Sequence, residues 1–266
     1  MVTVLEDVLA DLRAESEQLD DLVAPLDDSD TGGWRTPTPA AGWTVAHQIA
    51  HLAWTDETAH QAATDKAAWD ATVLAAIEDP HGFVDAEAAR GAQAAPAELL
   101  ALWRTARTQL EQALRAHPAG EKLPWYGPPM SPTSMATARF METWAHARDV
   151  ADALGVTLPR EDRVRHVVHL GIRTRGFAFA GRGLDVPAEP IHVALVLPGG
   201  DVHEDGPADA AQSVTGSAYD FALLVTQRAH RADLDLVATG PDADRWLDIA
   251  QAFAGPPGPG REPSHA

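Results

Sequence analysis

Helical periodicity fills the first 155 residues and stops at Gly155, and this limits what the chain can fold into more than any other feature. Residues 3–26 carry Val4, Leu5, Val8, Leu9, Leu12, Leu19 and Leu22, mostly three or four apart, which is the stripe of an amphipathic helix. The segment SDTGGWRTPTPAAG is dense in turn formers and breaks the pattern. Thr44 is then an N-cap for a second helix reaching about Ala63. A third helix is expected in two pieces, Asp65–Ile77 and Asp85–Ala89, with Pro80 and Gly82 as breakers. Pro96 opens a fourth over Ala97–Ala116, with Leu99, Leu102, Trp103, Ala106, Leu110 and Leu114 on one face. LPWYGPPMSPTS (residues 123–134) reads as a loop, and Ser134–Leu154 as a further helix ended by Gly155. Four long helices joined in this way make an antiparallel bundle.

Beyond Gly155 the pattern changes. Arg163–Ala180 still reads as helical. IHVALVL (191–197) has the β-branched alternation of a strand, PGGD turns it, and DVHEDG is its short partner. Ser217–His230 reads as a helix, DLDLVATG as a strand and Asp242–Phe253 as a last helix. A helical half followed by a mixed half gives an α+β protein with a bundle at residues 1–155 and an α/β domain at 156–255. The Pro/Gly-rich tail, 256–266, is expected to be flexible.

Composition narrows the chemistry. Thirty-nine acidic against 20 basic residues give a formal charge of −19, which repels phosphate backbones and anionic lipid and argues against nucleic-acid or membrane partners. No 18-residue apolar run is present, and acidic residues stand where a signal peptide would be basic, so a cytoplasmic protein is expected. Cysteine is absent, which removes disulfides, thiolate metal sites and cysteine nucleophiles. Any metal must therefore be held by His, Asp and Glu. No GxSxG, P-loop, GxGxxG-after-strand or HExxH pattern occurs.

One apolar helix nevertheless carries polar residues at a telling spacing. In WTVAHQIAHLAWTD, His47 and His51 lie four apart and share a helix face. In ARFMETWAHARDV, Glu142 and His146 are also four apart, with Asp149 a turn further on. Bundles build metal sites by pointing such pairs inward from facing helices. One imidazole from the first segment with Glu142 and His146 would form a His₂Glu set suited to zinc, nickel or iron(II), with positions open for water or substrate. Each pair alone is compatible with a hydrogen-bonded core histidine or a salt-bridged helix face, so spacing leaves both readings open.

The two segments together resemble the DinB-like superfamily, and in particular the mycothiol-dependent maleylpyruvate isomerase family of actinobacteria. GWTVAHQIAHLAW is similar to that family's GWTVxDxxAHLxxW-like segment, and ETWAHARDV to its ExWxHxxD-like segment. The resemblance implies a DinB-like four-helix bundle followed by a small sterol-carrier-like α/β domain. It also implies His51, Glu142 and His146 as ligands of one divalent metal, with zinc leading nickel and iron(II). The position of His47 is not usually a ligand in the family. Here His47 is expected as an orienting or substrate-facing group. Tyr126, beside Trp125, could line a substrate pocket and offer a hydroxyl, or belong to a loop that merely caps the bundle. The family also has an arginine, often within LxGR, that reaches the site to bind carboxylate or thiol cofactor. Arg228 in VTQRAHR is the nearest match although TQR departs from GR, and Arg231 is a second candidate. Cations complementing a helix C-terminus are the plainer reading of both.

The function implied is a metal-dependent isomerase or S-transferase. It would use mycothiol or a similar low-molecular-weight thiol, or water, on a small carbonyl-containing metabolite. The same site could instead run thiol-free hydrolase, lyase or cyclase chemistry, since fold does not fix reaction. A non-catalytic small-molecule carrier is the alternative from another class. Monomer and homodimer are equally compatible with the acidic surface.

Overall fold

The computed structural model describes residues 3–255, 258 and 260–264. It divides into two compact units at Leu158/Pro159. In the first unit α1 (Val4–Val23), α2 (Val45–Thr64), α5 (Pro96–Ala116) and α6 (Pro132–Leu154) are the long helices. Shorter helices α3 (Lys66–Glu78) and α4 (Phe83–Gly91) separate α2 from α5. Local chemistry sets the ends. The Thr3 hydroxyl accepts the Glu6 N–H at the start of α1, and Asp65 Oδ1 accepts two N–H groups of α3 at 3.1 Å. Helix α6 starts at Pro132, two residues earlier than the sequence suggests. The Ser131 hydroxyl accepts the Ser134 N–H at 3.1 Å, and proline fits the first helical position because its missing donor would be unpaired there anyway. Gly155, at φ 66°, ends the helix in the left-handed conformation that glycine adopts without penalty.

Helix α2 packs chiefly on α5 and α4, and α1 on α6. The α2–α4 approach is close enough that a Cβ on Gly91 would lie 2.8 Å from Cβ of Ala50, so only glycine fits. Trp34, Trp103 and Trp144 are fully buried, the first two in one core with Leu19, Ile49, Leu52, Leu99 and Val150. At about 1.5–3 kcal/mol per buried large apolar side chain, this core holds the unit together. Helix α2 is buried along most of its length, and this lets a polar residue on it face the bundle interior.

The second unit holds α7 (Arg165–Arg173), α8 (Arg175–Gly181), α9 (Ala218–Val225) and α10 (Pro241–Ile249) with a four-stranded sheet in the order β2-β1-β3-β4. The strands are β1 (Ile191–Val196), β2 (Val202–Asp205), β3 (Gln212–Ser217) and β4 (Leu236–Thr239). β1 runs parallel to β3, while β2 and β4 pair antiparallel. The protein is thus α+β, a helical first half with a small α/β second half.

Three expectations are corrected. The helix read over Arg163–Ala180 is broken at Thr174, whose hydroxyl donates to backbone carbonyls of Leu170 and Gln251 instead of facing solvent. The helix read over Ser217–His230 spans only Ala218–Val225, and Ser217 ends β3, a strand the sequence hides because QSVTGS contains one large apolar residue, Val214. The last helix stops at Ile249 rather than Phe253. In the tail, residues 256, 257, 259, 265 and 266 lie outside the described residues. The Ser264 N–H donates to Asp233 at 2.8 Å, and the Arg182 side chain to the Gly258 carbonyl at 3.2 Å. No helix among the described residues is long and apolar enough to cross a membrane.

Candidate metal centre

His51 from α2 and Glu142 and His146 from α6 come together inside the first unit, with one ligand atom of each within 4.8 Å of the others. Both imidazoles are 8% exposed. Glu142 Oε2 lies 3.2 Å from His146 Nε2 and 3.4 Å from His51 Nε2. The i,i+4 spacing on α6 puts carboxylate and imidazole one above the other, and α2 supplies the third group across the bundle.

A short chain of hydrogen bonds fixes the proton on one ring. The Thr38 hydroxyl donates to the Trp43 carbonyl at 3.1 Å, so it can only accept from the Gln48 amide, whose Nε2 is 2.8 Å away. That leaves the Gln48 carbonyl oxygen to accept from Nδ1 of His146. Nδ1 carries a proton, so in the neutral ring Nε2 presents a lone pair to the Glu142 carboxylate, and in the imidazolium it donates to it. With the ring neutral, two acceptors face each other at 3.2 Å, an arrangement that calls for a positive charge, a proton or a metal ion, between them. Tetrahedral coordination with bonds of about 2.1 Å spaces donor atoms about 3.4 Å apart, close to the 3.2 and 3.4 Å from Glu142 Oε2 to the two imidazoles. The donor set and its geometry therefore fit a divalent ion. Burial pushes the Glu142 carboxyl up, but the His146 and then the His51 hydrogen bonds and charges outweigh it and hold it well below the usual carboxylate range.

Residues 12–151 match the family described as "Mycothiol maleylpyruvate isomerase N-terminal domain", more than half of the chain. The chain belongs to this family. It is 57% identical over 253 residues to an uncharacterized protein found in two strains of Mycobacterium tuberculosis, covering 95% of this chain and 97% of each relative. The crystal structure of the mycothiol-dependent maleylpyruvate isomerase, and that of a histidine-to-alanine mutant of it, share the fold with a TM-score of 0.58 at 18% identity. The match covers 91% of this chain and 98% of theirs.

In this member of the maleylpyruvate isomerase family, His47 does not join the cluster. Its Nδ1 accepts the Thr44 N–H at 3.2 Å and lies 2.9 Å from the Thr44 hydroxyl, so the ring closes the capping box at the start of α2. Burial, and then the charge of Arg35, lower its pKa, which keeps it a neutral cap. Tyr126 packs with Trp69 and Trp125, ring centroids 5.1 and 5.2 Å away, and makes no ring contact or hydrogen bond with His51, Glu142 or His146. Burial, then Glu87, raise its phenol to about 12. Arg228 and Arg231 lie in the second unit. The former donates to the Thr226 carbonyl at 2.6 Å, and the latter is held by Asp244 and Asp248 of α10.

Several site residues escape a reading by spacing. Trp43 stacks on His146 at 6.0 Å and lies 5.4 Å from His51, with its indole N–H held by Asp85 of α4 at 2.9 Å. Trp54 also lies against His51, ring centroids 5.9 Å apart. Gln48 is the one that sequence could have flagged: a polar residue three before His51 in an apolar helix, and fully buried.

Proposed function

We propose that the protein is a divalent-metal-dependent enzyme of the mycothiol-dependent maleylpyruvate isomerase type. In this reading it performs isomerisation or S-transfer on a small carbonyl-containing metabolite, with a low-molecular-weight thiol or water as nucleophile. The observation that carries the reading is the pair of acceptors, His146 Nε2 and Glu142 Oε2, facing each other at 3.2 Å with His51 alongside. His51, Glu142 and His146 would hold one ion, zinc in the first place. Such an ion, when bound, polarises a carbonyl and lowers the pKa of a coordinated thiol or water.

The chain's own residues supply the rest. Gln48 keeps the His146 ring in the tautomer that leaves Nε2 free. The Glu142 carboxyl is held low by the two imidazoles when they carry a proton toward it, against the push of burial, which suits it to serve as an anionic ligand. Trp43 covers the two rings and keeps water from that side. With no cysteine in the chain, the nucleophile arrives as a thiol cofactor, mycothiol by family, or is water. Arg228 and Arg231 are the proposed anchors for a carboxylate or the thiol cofactor, and Tyr126, with its raised pKa, would serve only as a hydroxyl donor.

The test is metal content by elemental analysis of protein purified without a histidine tag, beside His51→Ala and Glu142→Ala. About one equivalent of divalent metal, lost in both variants, is expected. A wild-type protein that stays metal-free after dialysis against zinc, nickel and iron(II) refutes the reading.

A further inference from the structure

A second polar constellation lies one helical turn from the cluster and has no role in the chemistry above. Arg139 is three residues before Glu142 on α6, and Thr55 and Asp56 follow His51 by four and five residues on α2. The Arg139 guanidinium donates through Nε to Asp56 Oδ1 at 2.8 Å and through an Nη to the Thr55 hydroxyl at 2.6 Å. The Thr55 hydroxyl in turn donates to the His51 carbonyl at 2.7 Å. The other Asp56 oxygen accepts the Trp103 indole N–H from α5 at 3.2 Å. The Arg139 and Asp56 side chains are 3% and 5% exposed.

A buried ion pair is a poor way to stabilise a bundle, because desolvating both charges offsets most of their attraction. Its attested use is to fix the register of one helix against another. Here the helices it fixes are the two that carry the metal-ligand candidates, and the network ends on the backbone of His51 itself. A slide of α6 along α2 that moved Glu142 away from His51 would also break both Arg139 hydrogen bonds, to Asp56 and to Thr55. The Arg148–Glu15 pair offers a contrast within the same unit. It is equally buried, at 2.9 Å, but ties α6 to α1, which contributes nothing to the cluster.

We propose that Arg139, Asp56 and Thr55 form a positioning clamp that sets the spacing of His51 against Glu142 and His146. This rests on the metal-site reading above. The test is zinc affinity by competition with a chromophoric chelator, together with the absorption spectrum of the cobalt(II)-substituted protein, which reports coordination geometry independently of activity. Arg139→Met/Asp56→Leu replaces both charges with apolar groups, a change bundles commonly tolerate. This variant is expected to lose at least about tenfold in zinc affinity, as outer partners of metal ligands do, and to alter the cobalt spectrum. Thr55→Val, which nearly keeps shape and removes the hydroxyl link, is expected to lose affinity several-fold, with a modest fall in the melting temperature of the metal-free protein because an Arg139 Nη loses its acceptor. Glu15→Leu/Arg148→Met is expected to leave zinc affinity within about twofold of wild type. Wild-type affinity and spectrum in the double clamp variant, or in Thr55→Val should the double variant not fold, overturn the assignment. An equal loss in the Glu15/Arg148 variant does so as well, by making the effect one of bundle stability. Wild-type protein that binds no zinc refutes the metal reading itself, a result that cannot be confused with the others.

Discussion

Replacing Gln48 tests the tautomer argument with the fewest side effects. In Gln48→Leu the Thr38 hydroxyl keeps its bond to the Trp43 carbonyl, so the loss falls on His146 alone. Its Nδ1–H would be left buried without an acceptor, a penalty of about 1–3 kcal/mol. The metal-free protein can escape most of that cost by moving the proton to Nε2, where Glu142 Oε2 at 3.2 Å accepts it. The escape is available only while no metal is bound, because it blocks the nitrogen that would act as ligand. The penalty therefore appears in metal affinity rather than in folding. At about 1.4 kcal/mol per factor of ten, it amounts to roughly 5–140-fold, which brackets the 10–100-fold typical of a lost outer partner of a metal ligand.

The assay is zinc competition against a chelator on wild type, Gln48→Leu and Gln48→Glu, with thermal melts of each metal-free form. Gln48→Leu is expected to bind zinc 10–100-fold more weakly while melting within a few degrees of wild type. Gln48→Glu restores an acceptor at Nδ1, and a carboxylate there raises ligand basicity, so it is expected to bind at least as tightly as Gln48→Leu and closer to wild type. Equal affinity in wild type and Gln48→Leu would refute the reasoning. So would a large drop in melting temperature at unchanged affinity, since that would make Gln48 a folding residue only.

Two further expectations follow from other titrating groups. The Arg104 hydrogen bond, and after burial's opposing push the Arg107 charge, hold the Asp20 carboxyl below its usual value and join α1 to α5. A depressed carboxyl adds stability that is complete above about pH 4 and disappears as pH falls through the lowered value. Asp20→Asn should therefore cost about 1.5–3 kcal/mol at neutral pH in urea unfolding, and flatten the loss of stability below pH 4. Tyr126, raised to about 12 by burial and Glu87, should contribute nothing to the phenolate absorbance that grows in near pH 10. Since the chain has two tyrosines, Tyr126→Phe should leave that part of the curve unchanged, and a halved amplitude would contradict the burial argument.

What was legible in the sequence, and what was not, divides along physical lines. Groups that act within one helix obey a period of 3.6, so Glu142 and His146 announce themselves at i,i+4, and so does the capping of α2 by Thr44. Groups that act between helices leave no such mark. The acceptor for His146 is 98 residues away, and the partner of Asp56 is 83 away. His47 shows the limit from the other side, because its i,i+4 spacing to His51 says only that the two share a helix face. Its position as third residue after the N-cap gives the ring a backbone donor to satisfy first, and that local bond decides where it points. In the second unit β3 was missed because a strand carrying only Val214 as a large apolar residue has no visible alternation, and its pairing with β1 does what its own sequence cannot. The buried polar residues of α2 and α6 carry the consequence. Gln48, Thr55, Asp56 and Arg139 are expensive to bury and are satisfied by one another, by the ligand candidates and by Thr38 and Trp103, so they favour one alignment of the two helices. Helices that buried apolar surface alone have fewer such constraints on their register, whereas these hold three ligand-type atoms within 4.8 Å of one another.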